Sequence, residues 1–266
     1  MIKNIRLFVN DNSKSIALAS IVKKSFEEKG FNVCGKNFDL GVAIGGDGSF
    51  LRMIKQSNYS SEPYYVGINA GTLGFLQEVK VSEIDKLIEE IEEDKYKVDE
   101  VGIQEIKVDH GKALSRFYSL NEIIIREKDL RTLELDISIN GDLLEKFRGD
   151  GILVASSQGS TAQNLSYGGS IVFSDFSTLQ ITPMGPINSK VYRTLNNSVI
   201  IPNKKEIKMI PPNDNNLIVT IDGDNNIYDN VNSITTSIDD KKIKCLRFSH
   251  YNFPQKINEK LLSNEN

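Results

Sequence analysis

The chain has 266 residues, enough for one large domain or two smaller ones with a sizeable buried core. Its 39% hydrophobic and 26% charged residues are typical of a soluble globular protein. The formal net charge of −4 identifies no partner, and it argues against a nucleic-acid-binding protein, a class that usually carries a basic excess.

Strand-like and helix-like segments alternate over the first third of the chain. Short apolar runs predict buried strands, and apolar residues at a spacing of three to four predict helices. The predicted elements are a strand at 5–10, a helix at 13–29, a strand at 39–44, a helix from Ser49, a strand at 64–71 and an acid-rich amphipathic helix at 81–96 with Ser82 as its N-cap. Such alternation indicates a parallel sheet covered by helices.

Near residue 98 the pattern changes to short β-branched segments separated by Gly, Asn, Asp or Pro. This spacing favours an antiparallel, sandwich-like domain, and the NGD sequence at 140–142 predicts a hairpin turn. The predicted strands lie in IQEIKVD, FYSLNEIIIRE, LELDISING, GILVASS, LQITPM, SVIIP, LIVTIDGD and SITTSI. We therefore predict an α/β domain at 1–98, a β-rich domain at 99–240 and a segment at 241–266 that packs back on the first domain.

A glycine loop, Gly45-Gly46-Asp47-Gly48-Ser49, follows the strand at 39–44. The sequence has no G-x-x-x-x-G-K-[ST] loop and no G-x-G-x-x-G after a strand. Glycines at a strand end let a ligand approach the backbone, and the next helix start offers unpaired N–H groups to phosphate. Asp47 would repel phosphate unless it binds a cation or acts on a hydroxyl. The alternative is that Asp47 caps the helix.

Two further segments carry candidate ligand-binding residues. Asn121 and Glu122 stand beside an apolar strand run, where ribose hydroxyls would satisfy them; the alternative is an exposed strand edge. The loop 159–162, Gly-Ser-Thr-Ala, is followed by Asn164 and Ser166. Its small residues suit backbone contact with a flat or phosphorylated ligand, although the same residues are ordinary in turns.

The cysteines and histidines of the chain predict no metal site. Cys34, Cys245, His110 and His250 lie far apart in sequence, without metal-ligand spacing or a disulfide framework. We expect two free thiols in a reducing compartment. The start MIKNIRLFVND lacks the apolar core of a signal peptide, and no window approaches the roughly 18 apolar residues of a membrane span. We therefore expect a cytoplasmic protein.

Five segments together resemble the signature segments of the NAD kinases and occur in that family's order. They are GGDGSFLR, GINAGTLGFL, SLNEIIIRE, GDGILVASSQGSTAQNLSYGGSI and VTIDGD. GGDG alone also marks phosphofructokinases and diacylglycerol-type lipid kinases, whereas its combination with Asn-Glu and Gly-Ser-Thr-Ala is specific. The short chain, with VYRT at 191–194, most resembles the compact Gram-positive enzymes.

The resemblance implies a Rossmann-like parallel α/β domain and a C-terminal β-sandwich-like domain, with the active site between them. It implies transfer of the terminal phosphoryl group of ATP, or of polyphosphate, to the 2′-hydroxyl of the adenosine ribose of NAD, giving NADP. It also implies Mg²⁺ travelling with ATP and a homo-oligomer, a dimer or tetramer, without nucleic-acid or membrane partners. The alternatives are a related lipid or sugar kinase and a non-catalytic NAD(P)-binding sensor.

The resemblance assigns roles to matching residues, with Asp47 as the proton acceptor and Asn121 and Glu122 on the nicotinamide ribose. The implied NAD-binding residues are Asp47, Gly48, Arg52, Phe75, Asn121, Glu122, Arg148, Asp150, Thr161, Ala162, Gln163 and Ser166. The implied ATP phosphate loop comprises Gly45, Gly46, Gly48 and Asn69. The contacts of Gln158, Ile187, Asp222 and Asp224 are left open. Gln163 replaces the family's usual tyrosine and Asp224 its usual glutamine, and both departures motivate the sensor alternative.

Overall fold

The computed structural model describes residues 2–70, 74–129, 131–249 and 251–263. The chain folds into two compact units. Unit 1 comprises Met1–Val101 and Lys242–Asn266, and unit 2 comprises Gly102–Lys241. None of the helices in the described ranges is long and apolar enough to cross a bilayer.

Unit 1 is built on a parallel sheet formed by the apolar runs of the first third of the chain. Its elements in chain order are β1 (Asn4–Val9), α1 (Ser13–Glu28), β2 (Asn32–Val33), β3 (Leu40–Gly45), α2 (Asp47–Gln56), β4 (Tyr64–Asn69), β5 (Val79–Lys80), a 3₁₀ turn (Val81–Glu83) and α3 (Ile84–Glu92). The strand order is β2-β1-β3-β4, with β5 paired to β4, and every pairing is parallel. All residues of the central β3 are buried, as in a sheet covered on both faces.

The helices of unit 1 differ in how closely they follow the predicted bounds. α1 begins after Asn12, whose side chain accepts from the Ser15 N–H, and it buries Leu18, Val22 and Phe26 along one face. α2 begins at Asp47, two residues before the predicted start. The N-cap of α3 is Glu83, so the prediction of Ser82 as the cap was wrong.

Unit 2 consists mainly of strands. Its elements in chain order are β6 (Lys97–His110), β7 (Ala113–Ser119), β8 (Glu122–Glu127), β9 (Leu133–Ile139), β10 (Asp142–Gly149), β11 (Gly151–Ser156), a 3₁₀ turn (Gln158–Thr161), α4 (Gln163–Ser166), β12 (Thr178–Met184), β13 (Val199–Pro202), β14 (Ile207–Ile210), β15 (Asn216–Ile221), β16 (Asp224–Asp229) and β17 (Val231–Arg247). β6 begins in unit 1, and β17 ends there.

Two layers of antiparallel strands enclose the core of unit 2. One layer has the order β13-β12-β11-β8-β15-β16, and the other contains β10-β9-β14-β17, with β6 paired to β17 and β7. Buried residues of both layers, among them Ile123 and Val154 from one and Leu135 and Ile234 from the other, form a single cluster. The α/β plus β-sandwich-like fold class is therefore confirmed.

The NGD sequence forms the predicted hairpin. Asn140 and Gly141 have φ values of 50° and 90°, as a tight turn with two left-handed residues requires, and the turn joins the antiparallel β9 and β10.

The last part of the chain completes unit 1. The end of β17 pairs in parallel with β4 through Lys244 and Cys245. Leu246 and Phe248 belong to the same buried cluster as β1 and β3. A short helix, α5 (Phe253–Ile257), and a π-helical turn (Asn258–Leu262) follow.

Candidate active site

Asp47 lies at the carboxyl end of β3, as the first residue of α2. The N-cap of α2 is Gly46, so the Asp47 side chain does not cap its own helix. Its two carboxylate oxygens instead accept from the backbone N–H groups of Phe75, at 2.7 Å, and Leu76, at 2.8 Å. The half-buried carboxylate is therefore fixed against the segment that follows β4.

The glycines around Asp47 fall into two groups. A Cβ on Gly45, whose φ is 148°, would lie 2.2 Å from Ser49 Oγ, and one on Gly74 would lie 1.9 Å from Asp47 Oδ1. Apart from its chain neighbours and the backbone of its own helix, a Cβ on Gly46 or Gly48 would have no heavy atom of the described chain within 4 Å. Gly45 and Gly74 thus permit close packing, whereas Gly46 and Gly48 leave the backbone beside Asp47 open.

The other residues predicted for unit 1 lie around this loop. Arg52, one helical turn after Gly48, donates to Asn10 Oδ1 at 3.0 Å. Asn69 ends β4 and is buried. It borders a cavity of about 150 Å³ that is also lined by Gln77, Glu78, Lys80, Tyr251 and Lys256.

Two lysines near the end of the chain contact Phe75. Lys256 Nζ donates to the Phe75 carbonyl at 3.1 Å and to Glu78 Oε2 at 3.4 Å, and Lys260 Nζ lies 4.3 Å from the centroid of the Phe75 ring. Burial lowers the pKa of Lys256. Burial and then the charge of Lys256 lower the pKa of Lys260 to about 7. Sequence reasoning missed both lysines, since they stand in a polar tail without a motif.

In unit 2, Asp222 organises the turn that carries Asn121 and Glu122. The Asp222 carboxylate accepts from the backbone N–H groups of Leu120 (2.7 Å), Asn121 (2.8 Å) and Glu122 (3.2 Å). It also accepts from the Ser119 hydroxyl at 2.7 Å. Asp222 therefore stabilises the fold of this turn. The sequence left the contact of Asp222 open, and the structure shows that it is made with the turn.

The side chains of Asn121 and Glu122 are buried and incompletely hydrogen-bonded. Asn121 Oδ1 and Glu122 Oε2 have no hydrogen-bond partner within the part of the chain that the structure describes. Burial, followed by the charge of Asp222, raises the pKa of Glu122 to about 8. Because buried polar atoms are normally paired, the two oxygens mark a place where ligand hydroxyls would be accepted.

The glycine-serine loop packs directly on this turn. A Cβ on Gly159 would lie 2.2 Å from the Asn121 carbonyl oxygen, and Ser156 N–H donates to the same oxygen at 2.8 Å. Thr161 and Ala162 are half-buried, and Gln163 and Ser166 are exposed.

Buried polar groups hold the loop in place. Gln158 N–H donates to Ser156 Oγ at 3.1 Å. Asn164 is fully buried, donates to the Ser160 carbonyl and accepts from the Thr182 hydroxyl. The structure thus brings the Asn121–Glu122 turn and the 158–166 loop together within unit 2.

Arg148, Asp150 and Ile187 lie elsewhere in unit 2. Arg148 pairs with Glu134 at 2.7 Å, and Ile187 N–H donates to the Arg148 carbonyl at 2.9 Å. Asp150 precedes β11, whereas Glu122 pairs with Ala155 near the other end of that strand. At about 3.3 Å per residue, roughly 17 Å of strand separates the two places. The structure therefore does not bring this group to the Asn121–Glu122 turn.

Asp224 lies outside the turn that Asp222 organises. It is the exposed first residue of β16, directly after the hairpin turn at Asp222 and Gly223.

The family models and curated relatives agree with the signature segments. The ATP-NAD kinase N-terminal domain matches residues 3–96, and the ATP-NAD kinase C-terminal domain matches residues 120–242. The chain is 38% identical over 255 residues to an NAD kinase of Finegoldia magna, covering 92% of this chain and 93% of that protein. It is 32% identical over 256 residues to an NAD kinase of Lysinibacillus sphaericus, covering 96% and 97%.

Solved structures agree in fold at lower sequence identity. Yeast NADH kinase complexed with NADH superposes with a TM-score of 0.87 at 21% identity, covering 100% of this chain and 89% of that chain. An NAD kinase from Archaeoglobus fulgidus in complex with ATP gives a TM-score of 0.76 at 20% identity, covering 98% of each chain. With both domains matched in order and a relative 38% identical over most of both lengths, this chain belongs to the NAD kinase family.

Proposed function

We propose that this chain transfers the terminal phosphoryl group of ATP to the 2′-hydroxyl of the adenosine ribose of NAD, giving NADP, with Asp47 accepting the hydroxyl proton. The observation that supports this role is the Asp47 carboxylate, fixed by two backbone N–H groups beside the open backbone of Gly46 and Gly48. Ligands of open α/β sheets bind at the carboxyl ends of the strands, where Asp47 lies.

The hydrogen bonds of Asp47 are compatible with its acting as a base. Each carboxylate oxygen has two lone-pair positions, and the N–H groups of Phe75 and Leu76 occupy one on each. A ribose hydroxyl can therefore donate to the remaining position while the carboxylate stays in place. Because phosphoryl transfer depends mainly on positioning and charge neutralisation, a fixed acceptor of this kind is what the reaction needs.

Unit 2 contributes the binding of the dinucleotide. Asn121 Oδ1 and Glu122 Oε2 accept from the vicinal hydroxyls of the nicotinamide ribose, which satisfies two buried atoms otherwise without a partner among the described residues. Thr161, Ala162 and Ser166 line the dinucleotide. Gln163 stands where the family usually has a tyrosine, so this chain lacks the ring and the hydroxyl of that residue.

The start of α2 receives the phosphates of ATP, because its first N–H groups lie beside glycines and carry the positive end of the helix dipole. Among the described residues, no group of three or more His, Cys, Asp and Glu side chains could hold a metal ion. The described residues thus do not fit a divalent cation held by protein ligands alone. The Mg²⁺ that accompanies ATP is brought in on the phosphates.

We also propose a homo-oligomer, a dimer or tetramer, as the working form. Asp150 lies about 17 Å of strand away from the Asn121–Glu122 turn of the same copy. Arg148 is two residues before Asp150, and Ile187 is hydrogen-bonded to Arg148. A second copy can supply this group to a dinucleotide that one copy binds at the turn. Sedimentation velocity with and without NADP tests the proposal, and a monomer in both conditions contradicts it.

The Asp47→Asn variant tests the proposed base. General-base assistance is worth about 10²–10⁴ in rate, so the kcat for NADP formation from ATP and NAD should fall by about that factor. The dissociation constant for NAD should change by less than about threefold, because the amide keeps the shape of the side chain. Asp85→Asn removes an exposed carboxylate of α3 and serves as the matched control.

Three outcomes would contradict the proposal. Near-normal turnover by Asp47→Asn would exclude Asp47 as the base. Tight binding of NADP by the wild-type protein without any NADP formed from ATP or polyphosphate would indicate a sensor. Phosphorylation of diacylglycerol or fructose 6-phosphate in place of NAD would indicate a related kinase.

A further inference from the structure

The segment at 251–263 contacts the loop that holds Asp47, residues 74–78. Lys256 Nζ donates to the Phe75 carbonyl at 3.1 Å, over a separation of 181 residues in the chain. Phe75 O and Leu76 N belong to one peptide plane, and no peptide bond of the described chain is cis. In a planar trans peptide the C=O and the N–H point in opposite directions. The Lys256 ammonium therefore lies at one end of the plane whose N–H donates to Asp47 Oδ1 at 2.8 Å.

Neighbouring charges and rings hold Lys256 in place. Its Nζ lies 3.4 Å from Glu78 Oε2, and the Glu78 side chain is 1% exposed. Arg247 Nη1 approaches the same oxygen at 3.5 Å, while Arg247 Nε pairs with Asp99 at 2.8 Å. The ring of Tyr251 lies 5.1 Å from Lys256 Nζ and 4.8 Å from Arg247 Cζ. The Lys256 side chain is thus held by an ion pair and a ring contact and is only 13% exposed.

We propose that Lys256 is a positioning residue for Asp47, which it orients through the Phe75–Leu76 peptide. The ammonium fixes the direction of the peptide and polarises it, which strengthens the N–H donor on its other side. This inference rests on the proposed function, in which Asp47 is the base. The backbone of Asn121 and Glu122 is held by Asp222, so the proposed ribose contacts of these two residues do not depend on Lys256.

The Lys256→Met variant separates positioning from binding. A displacement of about 1 Å at a reacting group costs about 10²-fold in rate, so kcat should fall between about tenfold and 100-fold. The KM for NAD should stay within about twofold. Lys256→Arg keeps a cationic donor and should retain kcat within about threefold of wild type. In hydrogen–deuterium exchange, the amides of Phe75 and Leu76 should lose protection in Lys256→Met and keep it in Lys256→Arg.

Lys24→Met is the matched control, since Lys24 is an exposed lysine of unit 1 that pairs with Glu28 on the surface of α1. It should keep wild-type kcat and wild-type protection of the two amides. If Lys256→Met unfolds, Lys256→Gln, which keeps an uncharged N–H donor, takes its place. Three results overturn the inference: wild-type kcat in Lys256→Met, a kcat in Lys256→Arg as low as in Lys256→Met, or an equal loss in Lys24→Met. Normal turnover by Asp47→Asn would instead overturn the proposed base.

Discussion

Glu122, which is buried, and Asp222, which is half-buried, are acidic residues of one turn with different roles. Asp222 accepts hydrogen bonds from three successive backbone N–H groups and from the Ser119 hydroxyl. Glu122 keeps Oε2 without a partner among the described residues, and burial raises its pKa to about 8. One carboxyl therefore shapes the turn, while the other stays available to a ligand hydroxyl.

Glu122 should make the stability of the protein depend on pH in a definite direction. Its pKa is raised from 4.5 in the unfolded chain to about 8 in the folded protein. Its contribution to the free energy of unfolding is therefore fully present below about pH 4.5 and is lost as pH rises through about 8. One pKa unit corresponds to about 1.4 kcal/mol, so the loss between pH 5 and 8 is on the order of 3 kcal/mol.

The Glu122→Gln variant has no titrating carboxyl at this position, so it tests the predicted loss of stability with rising pH. Urea unfolding of wild type and variant at pH 5 and pH 8 should show that wild type loses more stability over the interval, by an amount on the order of 3 kcal/mol. Glu206→Gln, at an exposed glutamate of unit 2, should reproduce the wild-type difference. Equal differences in wild type and Glu122→Gln would show that Glu122 does not titrate as described.

At this scale the sequence predicts residues that stand in local patterns and misses contacts that are made across the chain. Asp47 is framed by glycines, and Asn121 and Glu122 interrupt an apolar run, so each is conspicuous in its segment. Lys256 contacts Phe75 over 181 positions, and Asp222 contacts Leu120 over 102. Such contacts are created by the tertiary fold, and no local periodicity encodes them.

At the scale of elements, the predicted strands are more accurate than the predicted helix ends. The helix predicted at 81–96 is a 3₁₀ turn followed by α3 at Ile84–Glu92. Glu83 accepts from the Lys80 N–H at 2.8 Å, which forms the first turn, and Asp94, with φ of 50°, follows the end of the helix. Apolar periodicity marks the buried face of a helix, but local hydrogen bonds decide where the helix begins and ends.

The contact between the 158–166 loop and Asn121, directly before β8, depends on one glycine. A Cβ on Gly159 would lie 2.2 Å from the Asn121 carbonyl oxygen and 2.6 Å from the carbonyl carbon, and both are backbone atoms. Gly159→Ala must therefore displace the loop or the turn. We expect a loss of about 1–3 kcal/mol in the free energy of unfolding and a rise of at least about tenfold in the KM for NAD.

Gly35→Ala is the control for this substitution, because its Cβ meets no heavy atom of the described chain within 4 Å apart from its chain neighbours. It should change stability by less than about 0.5 kcal/mol and leave the KM for NAD unchanged. Urea unfolding and initial-rate kinetics on the two variants measure both effects. Wild-type stability and KM in Gly159→Ala would show that the loop does not pack on Asn121 as closely as described.

At the scale of the whole molecule, the chain leaves unit 1 after its first 101 residues and returns for the last 25. Strand–helix alternation predicts the parallel strands β1, β3 and β4, because each is an apolar run followed by a helix. It does not predict the pairing of β17 with β4, which joins Cys245 to Tyr65. A strand that joins the sheet from a distant part of the chain has no neighbouring helix that would indicate it. The sequence predicts that residues 241–266 pack back on the first domain, but not that a strand of this segment pairs with β4.

The returning strand makes the core of unit 1 depend on residues near the end of the chain. Leu246 is fully buried in the cluster that contains Ile5 and Val42, whereas Leu262 is 71% exposed. Leu246→Ala should lower the free energy of unfolding by about 2–5 kcal/mol, because it removes buried surface and leaves a cavity. Leu262→Ala makes the same chemical change in the same part of unit 1, Lys242–Asn266. It should lower the free energy of unfolding by less than about 0.5 kcal/mol.

Hydrogen–deuterium exchange locates the effect that urea unfolding measures. In Leu246→Ala, the amides of β1, β3 and β4 should lose protection, since the variant weakens the core that these strands share. The amides of β11 and β15 should keep their protection. The buried cluster of unit 2, to which these strands contribute, contains no residue from Lys242–Asn266. Wild-type protection in β1, β3 and β4, or a loss as large in Leu262→Ala, would contradict a stabilising role for the returning strand.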